Sequence, residues 1–172
     1  MMLRVVRLPQ PVIAEVKGIA TAAGCQLVAS CDLAIASNEA KFATSGVNIG
    51  LFCSTPMVAL SRNINRKLAM EMLLLGEFLP AARVAEMGLI NRTVAQESLE
   101  DASMDMARII ADKSSAAIKV GKRAFYEQLE MPLEDAYTFA GRVMAQNMMA
   151  RDAAAGIGAF TRKESMPEWT GE

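Results

Sequence analysis

A turn of small residues that leads into a helix is the stretch of this sequence best suited to chemistry. Gly18 interrupts an apolar strand, the loop Ala20–Gly24 follows, and the residues up to Ser30 are predicted to be helical. A helix that begins at such a turn presents free backbone N–H groups, which can hold an anion or a developing oxyanion. Small residues in a crossover also let two backbones pack closely. Residue types and spacing alone leave both interpretations open and favour close packing.

The absence of histidine limits the chemistry that the chain can perform. Ser-His-Asp and Cys-His mechanisms and the common zinc sites are excluded. Acid–base chemistry would have to use carboxylates, lysine, tyrosine, cysteine or water. We expect no metal site.

The three cysteines are Cys25, Cys31 and Cys53, an odd number without the spacing of a metal site. Cys25 and Cys31 are not expected to face each other on a helix. We predict three reduced, buried thiols and a cytosol-like compartment. A catalytic thiol is the alternative.

The overall composition predicts one globular domain of 172 residues with 52% hydrophobic residues, enough for a full core. A net charge of −1 gives no basic field for nucleic acid or for a membrane surface. No apolar run is long enough to span a bilayer, and the N-terminus does not read as a signal peptide. The 13 methionines are predicted to fill gaps in the core, for example Met70, Met72, Met144 and Met148.

The first half of the chain is predicted to form a βαβ crossover. Strands at 12–17 and 32–37 flank a helix at 22–30, and the apolar second strand favours a buried, parallel pair. A short extended piece at 41–43 precedes a glycine-punctuated loop at 45–56. That loop is a candidate wall of a pocket.

The second half is predicted to be mainly helical, with one further strand at 89–94. Gly76 and Gly88 are predicted to end helices. The predicted helices cover residues 56–61, 68–75, 80–87, 97–112, 115–130, 132–149 and 151–160. The polar tail from residue 161 to residue 172 is predicted to be loose.

Three segments of the chain read PVIAEVKGIATAAGCQLVASCDLAIAS, KFATSGVNIGLF and AMEMLLLGEFLPAARVAEMGLINRTV. Together they resemble the enoyl-CoA hydratase/isomerase (crotonase) superfamily. The stretch from Arg151 to Lys163 is similar to the family's closing helix. Gly50–Met57 stands where the family often has Gly-x-x-Pro-x-x-Gly-Gly, and this difference resembles the enoyl-CoA hydratase domain-containing branch.

The resemblance implies an α/β fold with a crotonase-like ββα core followed by a helical C-terminal region. Residues 1–95 would form the C-terminal part of that core, and residues 96–172 would serve packing and the assembly of trimers or dimers of trimers. The family's N-terminal third, which carries a second oxyanion donor and much of the adenine pocket, would be absent from this chain.

The resemblance also implies an acyl-CoA thioester as substrate, with coenzyme A as part of the substrate and no separate cofactor. In the family, two backbone N–H groups hold the thioester oxygen while an enolate develops. One of these donors falls on Ala23, with Gly24 beside it. Family hydratases carry glutamates at the positions of Gln26 and Gly46. An amide and a glycine cannot exchange protons with water as two carboxylates do.

Five further residues are expected to contact the substrate. Two belong to the small-residue turn and three to the glycine-punctuated loop at 45–56. They are Ala20, Ala22, Ser45, Asn48 and Cys53.

The sequence therefore predicts an acyl-CoA enzyme of this superfamily in which two-glutamate hydration is doubtful. Thioester hydrolysis or a solvent-assisted isomerisation fits the residues better. A non-catalytic acyl-CoA-binding or oligomer-subunit protein is the alternative, and a scaffold without affinity for CoA is a third possibility.

Lys119, Lys122 and Arg123 would either meet CoA phosphates or form a solvated face. The expected compartment is the cytoplasm, or the mitochondrial matrix for a eukaryotic chain.

Overall fold

The computed structural model describes all 172 residues and divides them into two compact units. The first unit comprises 1–6 and 12–107, and the second comprises 7–11 and 108–172. The division falls inside a helix, between residues 107 and 108. Ser103, in the first half of that helix, donates a hydrogen bond to the carboxylate of Glu15 within the first unit.

Six short strands form two small sheets in the first unit. They are β1 (Ile13–Val16), β2 (Ile19–Thr21), β3 (Leu33–Ser37), β4 (Lys41–Ala43), β5 (Leu79–Pro80) and β6 (Arg92–Val94). One sheet has the order β1-β3-β6 and is parallel throughout. In the other, of order β2-β4-β5, β2 and β4 are parallel and β5 is antiparallel. The sequence predicted that the strands at 12–17 and 32–37 pair in parallel, and the pairing of β1 with β3 confirms this.

Nine α-helices complete the chain. They are α1 (Met2–Arg7), α2 (Ala23–Ser30), α3 (Ser54–Asn63), α4 (Arg66–Leu75), α5 (Ala81–Glu86), α6 (Leu99–Ala111), α7 (Ser115–Gln128), α8 (Leu133–Met148) and α9 (Arg151–Arg162). Short 3₁₀ helices occupy Ser45–Ile49 and Gln96–Ser98. None of these helices combines the length and the low polarity needed to cross a bilayer.

The core of the first unit lies around β3, β4 and the helices that cover them. The largest fully buried apolar side chains include Ile35, Phe42, Leu60, Met72 and Val84. The burial of β3 that its apolar sequence predicted is confirmed, since every residue after Leu33 in this strand is buried. This core fixes the ends of β2 and β4, from which the candidate site is built.

Two predictions for the first unit are wrong. Ile19–Thr21 forms β2, where the sequence predicted that a loop of small residues begins at Ala20, because these residues pair with β4 directly after Gly18. The predicted loop at 45–56 instead begins as a 3₁₀ helix and ends inside α3, which starts at Ser54.

The methionine prediction holds for Met72, and for Met87, which is also buried, but not for the other three methionines named as examples. Met70, Met144 and Met148 are 42%, 62% and 55% exposed, so they do not fill the core of this chain. Met144 and Met148 are exposed because they lie on α8, where Ala136 is the only buried residue.

The predicted loose tail is also wrong. Helix α9 ends at Arg162, and Lys163 follows it in the left-handed conformation. The chain then folds back to Asp152, which lies in the first turn of the same helix. The Asp152 carboxylate accepts hydrogen bonds from the backbone N–H groups of Thr170 and Gly171, at 2.8 and 3.0 Å. The indole N–H of Trp169 donates to the carbonyl of Asp112 at 2.9 Å.

Candidate oxyanion site

The turn between β2 and α2 is held in a strained conformation at Ala22. This residue has φ 47° and ψ −112°, a combination that alanine rarely adopts. Its N–H donates to the carbonyl of Ala43 at 3.0 Å, and its own carbonyl accepts from the N–H of Gln26 at 3.0 Å. Such a conformation costs about 1–3 kcal/mol and persists only where the surroundings enforce it.

The N-terminus of α2 is uncapped. Ala22 occupies the N-cap position, where it has no side-chain oxygen to offer, and the first turn contains no acidic residue. The backbone N–H groups of Ala23 and Gly24 have no partner within the chain, and both residues are exposed. The turn therefore presents oriented donors at the positive end of a helix dipole, an arrangement that suits an oxyanion.

A hydroxyl pair links this turn to the next segment. Thr21 Oγ1 and Ser45 Oγ lie 2.9 Å apart and share a hydrogen bond. Ser45 is the first residue of the 3₁₀ helix, so the pair brings the segment of Gly46 beside the turn of Ala22. The sequence singled out Ser45 but missed Thr21, whose only signal was a hydroxyl within the small-residue loop.

Gly46 stands where no side chain fits. A Cβ added there would lie 2.5 Å from the carbonyl oxygen of Leu51 and 2.9 Å from the Sγ of Cys53. A larger residue would therefore require the backbone at Leu51 to move.

Gln26 offers a neutral amide at the first turn of α2. It is half-buried, its backbone carbonyl accepts from Ser30 Oγ at 2.8 Å, and its side chain has no protein partner. An amide can donate and accept hydrogen bonds, but it cannot act as a general base at neutral pH.

Cys25 remains a thiol. Burial, with a smaller electrostatic contribution from Cys53, raises the pKa of the Cys25 thiol to about 12. The catalytic alternative therefore fails for Cys25, because the thiolate is the nucleophile. None of the three cysteines forms a disulfide, as predicted, but Cys31 is only half-buried and donates to the carbonyl of Leu27 at 3.3 Å.

Two other predicted contacts point to structural roles. Ala20 is buried in the hydrophobic core of the first unit. The amide of Asn48 donates to the carbonyl of Gly76 at 3.0 Å, where α4 ends. Asn48 thus fixes the 3₁₀ helix against the end of α4.

The basic residues considered for CoA phosphates lie on α7, in the second unit. Arg123 forms an ion pair with Glu127 at 2.7 Å, and Lys122 donates to the carbonyl of Gln10 at 2.9 Å. No cluster of three or more metal-ligating side chains exists in the structure.

A family model described as enoyl-CoA hydratase/isomerase matches residues 1–172. "Enoyl-CoA hydratase domain-containing protein 3, mitochondrial" of Rattus norvegicus is 48% identical over 162 residues, which cover 94% of this chain and 54% of the rat protein. "Probable enoyl-CoA hydratase" of Rhizobium meliloti is 32% identical and is covered over 60% of its length. The chain thus spans little more than half the length of these curated relatives.

Solved structures match the chain closely. The crystal structure of an enoyl-CoA hydratase of Mycobacterium smegmatis has a TM-score of 0.95 and 54% identity, and the match covers 97% of this chain and 65% of that one. The human enoyl Coenzyme A hydratase domain-containing protein 3 has a TM-score of 0.93 and 47% identity, and the match covers 96% and 66% of the two chains.

Proposed function

Since the chain belongs to the enoyl-CoA hydratase/isomerase family and to its enoyl-CoA hydratase domain-containing branch, we propose that it binds an acyl-CoA thioester and stabilises its enolate. The thioester oxygen would sit at the N-terminus of α2, with the N–H of Ala23 as donor and Gly24 beside it. Coenzyme A would enter as part of the substrate. The uncapped first turn of α2, which follows the strained Ala22, is the observation that carries this proposal.

Enolate formation needs fixed donors and a base, which in this site would be solvent. The C–H bond next to the thioester carbonyl breaks and its electron pair forms the C=C bond of the enolate. The π pair of the carbonyl moves onto the thioester oxygen, and a water or hydroxide of the solvent accepts the proton. The N–H of Ala23 stabilises the charge that this leaves on the oxygen. The loss of one donor of this kind slows catalysis on the order of 10²–10³-fold. Isomerisation and thioester hydrolysis both remain open to a site that works through solvent.

Two-glutamate hydration fits this chain poorly. The glutamate positions of the family pattern carry Gln26 and Gly46, and neither holds or releases a proton at neutral pH. The space around Gly46 argues further against a carboxylate, because a Cβ would meet Leu51 and Cys53. We expect slow hydration of enoyl-CoA or none.

The same packing supports a second candidate function. A protein that keeps the oxyanion donors but has no room for a carboxylate at Gly46 would bind an acyl-CoA without converting it. It would then act as a binding protein or as a subunit of an assembly.

Two assays on the purified chain test these functions together. Calorimetric titration with crotonyl-CoA and with CoA measures binding, and loss of the conjugated enoyl absorbance measures hydration. We expect binding of crotonyl-CoA and little hydration. Hydration as fast as in a two-glutamate enzyme would contradict the roles given to Gln26 and Gly46. No heat with either ligand would overturn both candidate functions.

We also propose assembly into homotrimers or dimers of trimers. Support comes from apolar side chains of the second unit that no part of the chain covers, including Leu133, Tyr137, Met149 and Phe160, which are 75%, 75%, 86% and 76% exposed. Sedimentation equilibrium would give the mass of a trimer or hexamer. A monomer at micromolar concentration would contradict the proposal.

The three cysteines, none of which forms a disulfide, support a reducing compartment. The cytoplasm fits, as does the mitochondrion, which the names of several relatives state for those proteins. Subcellular fractionation of the source cells decides between them.

A further inference from the structure

We propose that the hydroxyl pair of Thr21 and Ser45 positions the oxyanion turn, holding Ala22 in its strained conformation and thereby fixing the N–H of Ala23. The inference deepens the proposed function and rests on it. Neither hydroxyl takes part in bond making or breaking. Each acts through the backbone of the turn.

The backbone on one side of the turn is fixed by strand pairing alone. Thr21 is the last residue of β2 and is paired with Ala43 of β4. β2 is only three residues long and lies at the edge of its sheet. Beyond Thr21, the backbone has one further bond to β4, from the N–H of Ala22 to the carbonyl of Ala43. A short edge strand is a weak anchor for a strained residue, so a side-chain tie at Thr21 has a clear physical purpose.

The other side of the hydroxyl pair is firmly anchored. Thr44, directly before Ser45, is fully buried and donates its hydroxyl to the carbonyl of Met72 at 2.8 Å. Three residues after Ser45, Asn48 is bonded to the carbonyl of Gly76. Both acceptors belong to the C-terminal end of α4, so Ser45 sits on a segment that is fastened to a core helix at two points.

The two hydroxyls therefore connect a rigid support to a strained turn. Helix α4 holds the 3₁₀ helix, and therefore Ser45, in place. The 2.9 Å hydrogen bond from Ser45 then restrains Thr21 and, through the backbone, Ala22. Glycine would adopt the conformation of Ala22 without this help, whereas alanine needs it to be enforced. The hydroxyl pair holds the backbone in this conformation, which is necessary because position 22 is alanine and not glycine.

Four variants of the whole chain test the role. Thr21→Val keeps the shape of the side chain but removes its hydroxyl, Thr21→Ser restores the hydroxyl, and Ser45→Ala removes the partner. Ser61→Ala is the matched control, because its hydroxyl bonds to the carbonyl of Val58 on the exposed face of α3. Circular dichroism and Tm establish that each variant is folded.

The decisive readout compares two ligands. Acetoacetyl-CoA carries an enolisable thioester, whereas CoA alone carries no thioester oxygen. We expect Thr21→Val and Ser45→Ala to weaken acetoacetyl-CoA binding about tenfold, which is what losing one hydrogen bond typically costs, and to leave CoA binding unchanged. Thr21→Ser and Ser61→Ala should bind both ligands as the wild type does.

Equal weakening for both ligands, or no weakening for acetoacetyl-CoA, would overturn the positioning role. If the wild type binds neither ligand, the proposed function fails, and crystal structures of the wild type and Thr21→Val then decide the inference. We expect the φ of Ala22 to stay positive in the wild type and to become negative in Thr21→Val. A positive φ in both would overturn the inference.

Discussion

Helices α2 and α9 begin in the same way but use their first turns differently. Each has an alanine without a side-chain cap at its N-cap position, Ala22 in one and Ala150 in the other. In α9 the N–H of Asp152 is satisfied by the carbonyl of Glu172 at 2.9 Å. In α2 the first N–H groups have no partner in the chain.

The side chain of Asp152 extends this difference. Its carboxylate is almost completely buried and accepts from Ser114 Oγ at 2.6 Å and from three groups of the tail. The hydrogen bond from Ser114 is the main cause that lowers the pKa of Asp152 to about 2, with Thr170 and Gly171 adding to it against the effect of burial. The tail thus occupies the start of α9, the closed helix start, through Asp152. The chain leaves the N–H groups of Ala23 and Gly24 at the start of α2, the open helix start, without a partner, as a ligand site requires.

The largest effect is expected at the closed helix start. Asp152→Ala leaves the donors of Ser114, Thr170 and Gly171 without their acceptor, so Tm should fall on the order of 10 °C. Calorimetry measures the fall, and hydrogen exchange should show the tail opening. Glu134→Ala removes an exposed acid from the first turn of α8 and is the control. A Tm equal to that of the control would mean that the carboxylate does not hold the tail.

Because of the same carboxylate, the stability of the second unit should depend on pH in the acid range. The pKa of Asp152 is lower in the folded state, so its stabilisation is complete above about pH 4 and is lost as pH falls towards 2. We expect Trp169 fluorescence and tail exchange to change over this range in the wild type. Asp152→Asn cannot titrate at this position and should not show the change. An identical acid transition in this variant would contradict the assignment.

At the open helix start, Gly76→Ala tests the support of the 3₁₀ helix. Gly76 has φ +62°, and an added Cβ would lie 2.7 Å from Val47 and 2.9 Å from the amide of Asn48. We expect a loss of about 1–3 kcal/mol in the free energy of unfolding by urea. Gly88→Ala is the matched control, since its φ is +83° but nothing lies within 4 Å of the added Cβ. Equal losses in the two variants would show that the contacts with Val47 and Asn48 contribute nothing.

The smallest effect, and the only stabilising one, is expected from Ala22→Gly. Glycine relieves the strain of about 1–3 kcal/mol and costs about 0.5–1 kcal/mol in chain entropy, so stability should rise by about 1 kcal/mol. Ala23→Gly, one residue further into the helix, relieves no strain and should lower stability. Urea unfolding measures both, and a loss for Ala22→Gly would mean that Ala22 is unstrained.

Much of the fold follows from local signals in the sequence. The α/β fold and helical C-terminal region implied by the family resemblance are confirmed. Gly76 ends α4 as predicted, in the left-handed conformation that glycine allows. The buried strand β3 and its parallel pairing were predicted from its apolar residues and the crossover length.

The remaining features depend on partners distant in sequence. β2 is a strand only because β4 lies beside it, and the tail is ordered only because it reaches Asp152. The hydroxyl pair joins Thr21 to a residue that no local pattern connects with it. At the candidate site, the sequence located the turn, whereas its strain and anchoring required coordinates.

The most direct test of the open helix start is an NMR titration of the backbone N–H groups of Ala23 and Gly24 with acetoacetyl-CoA. A bound thioester oxyanion should move the Ala23 signal, and to a lesser extent that of Gly24, to lower field as the hydrogen bond forms. The N–H of Asp152, which Glu172 already occupies, should not move. Binding that leaves Ala23 and Gly24 unchanged would contradict the account.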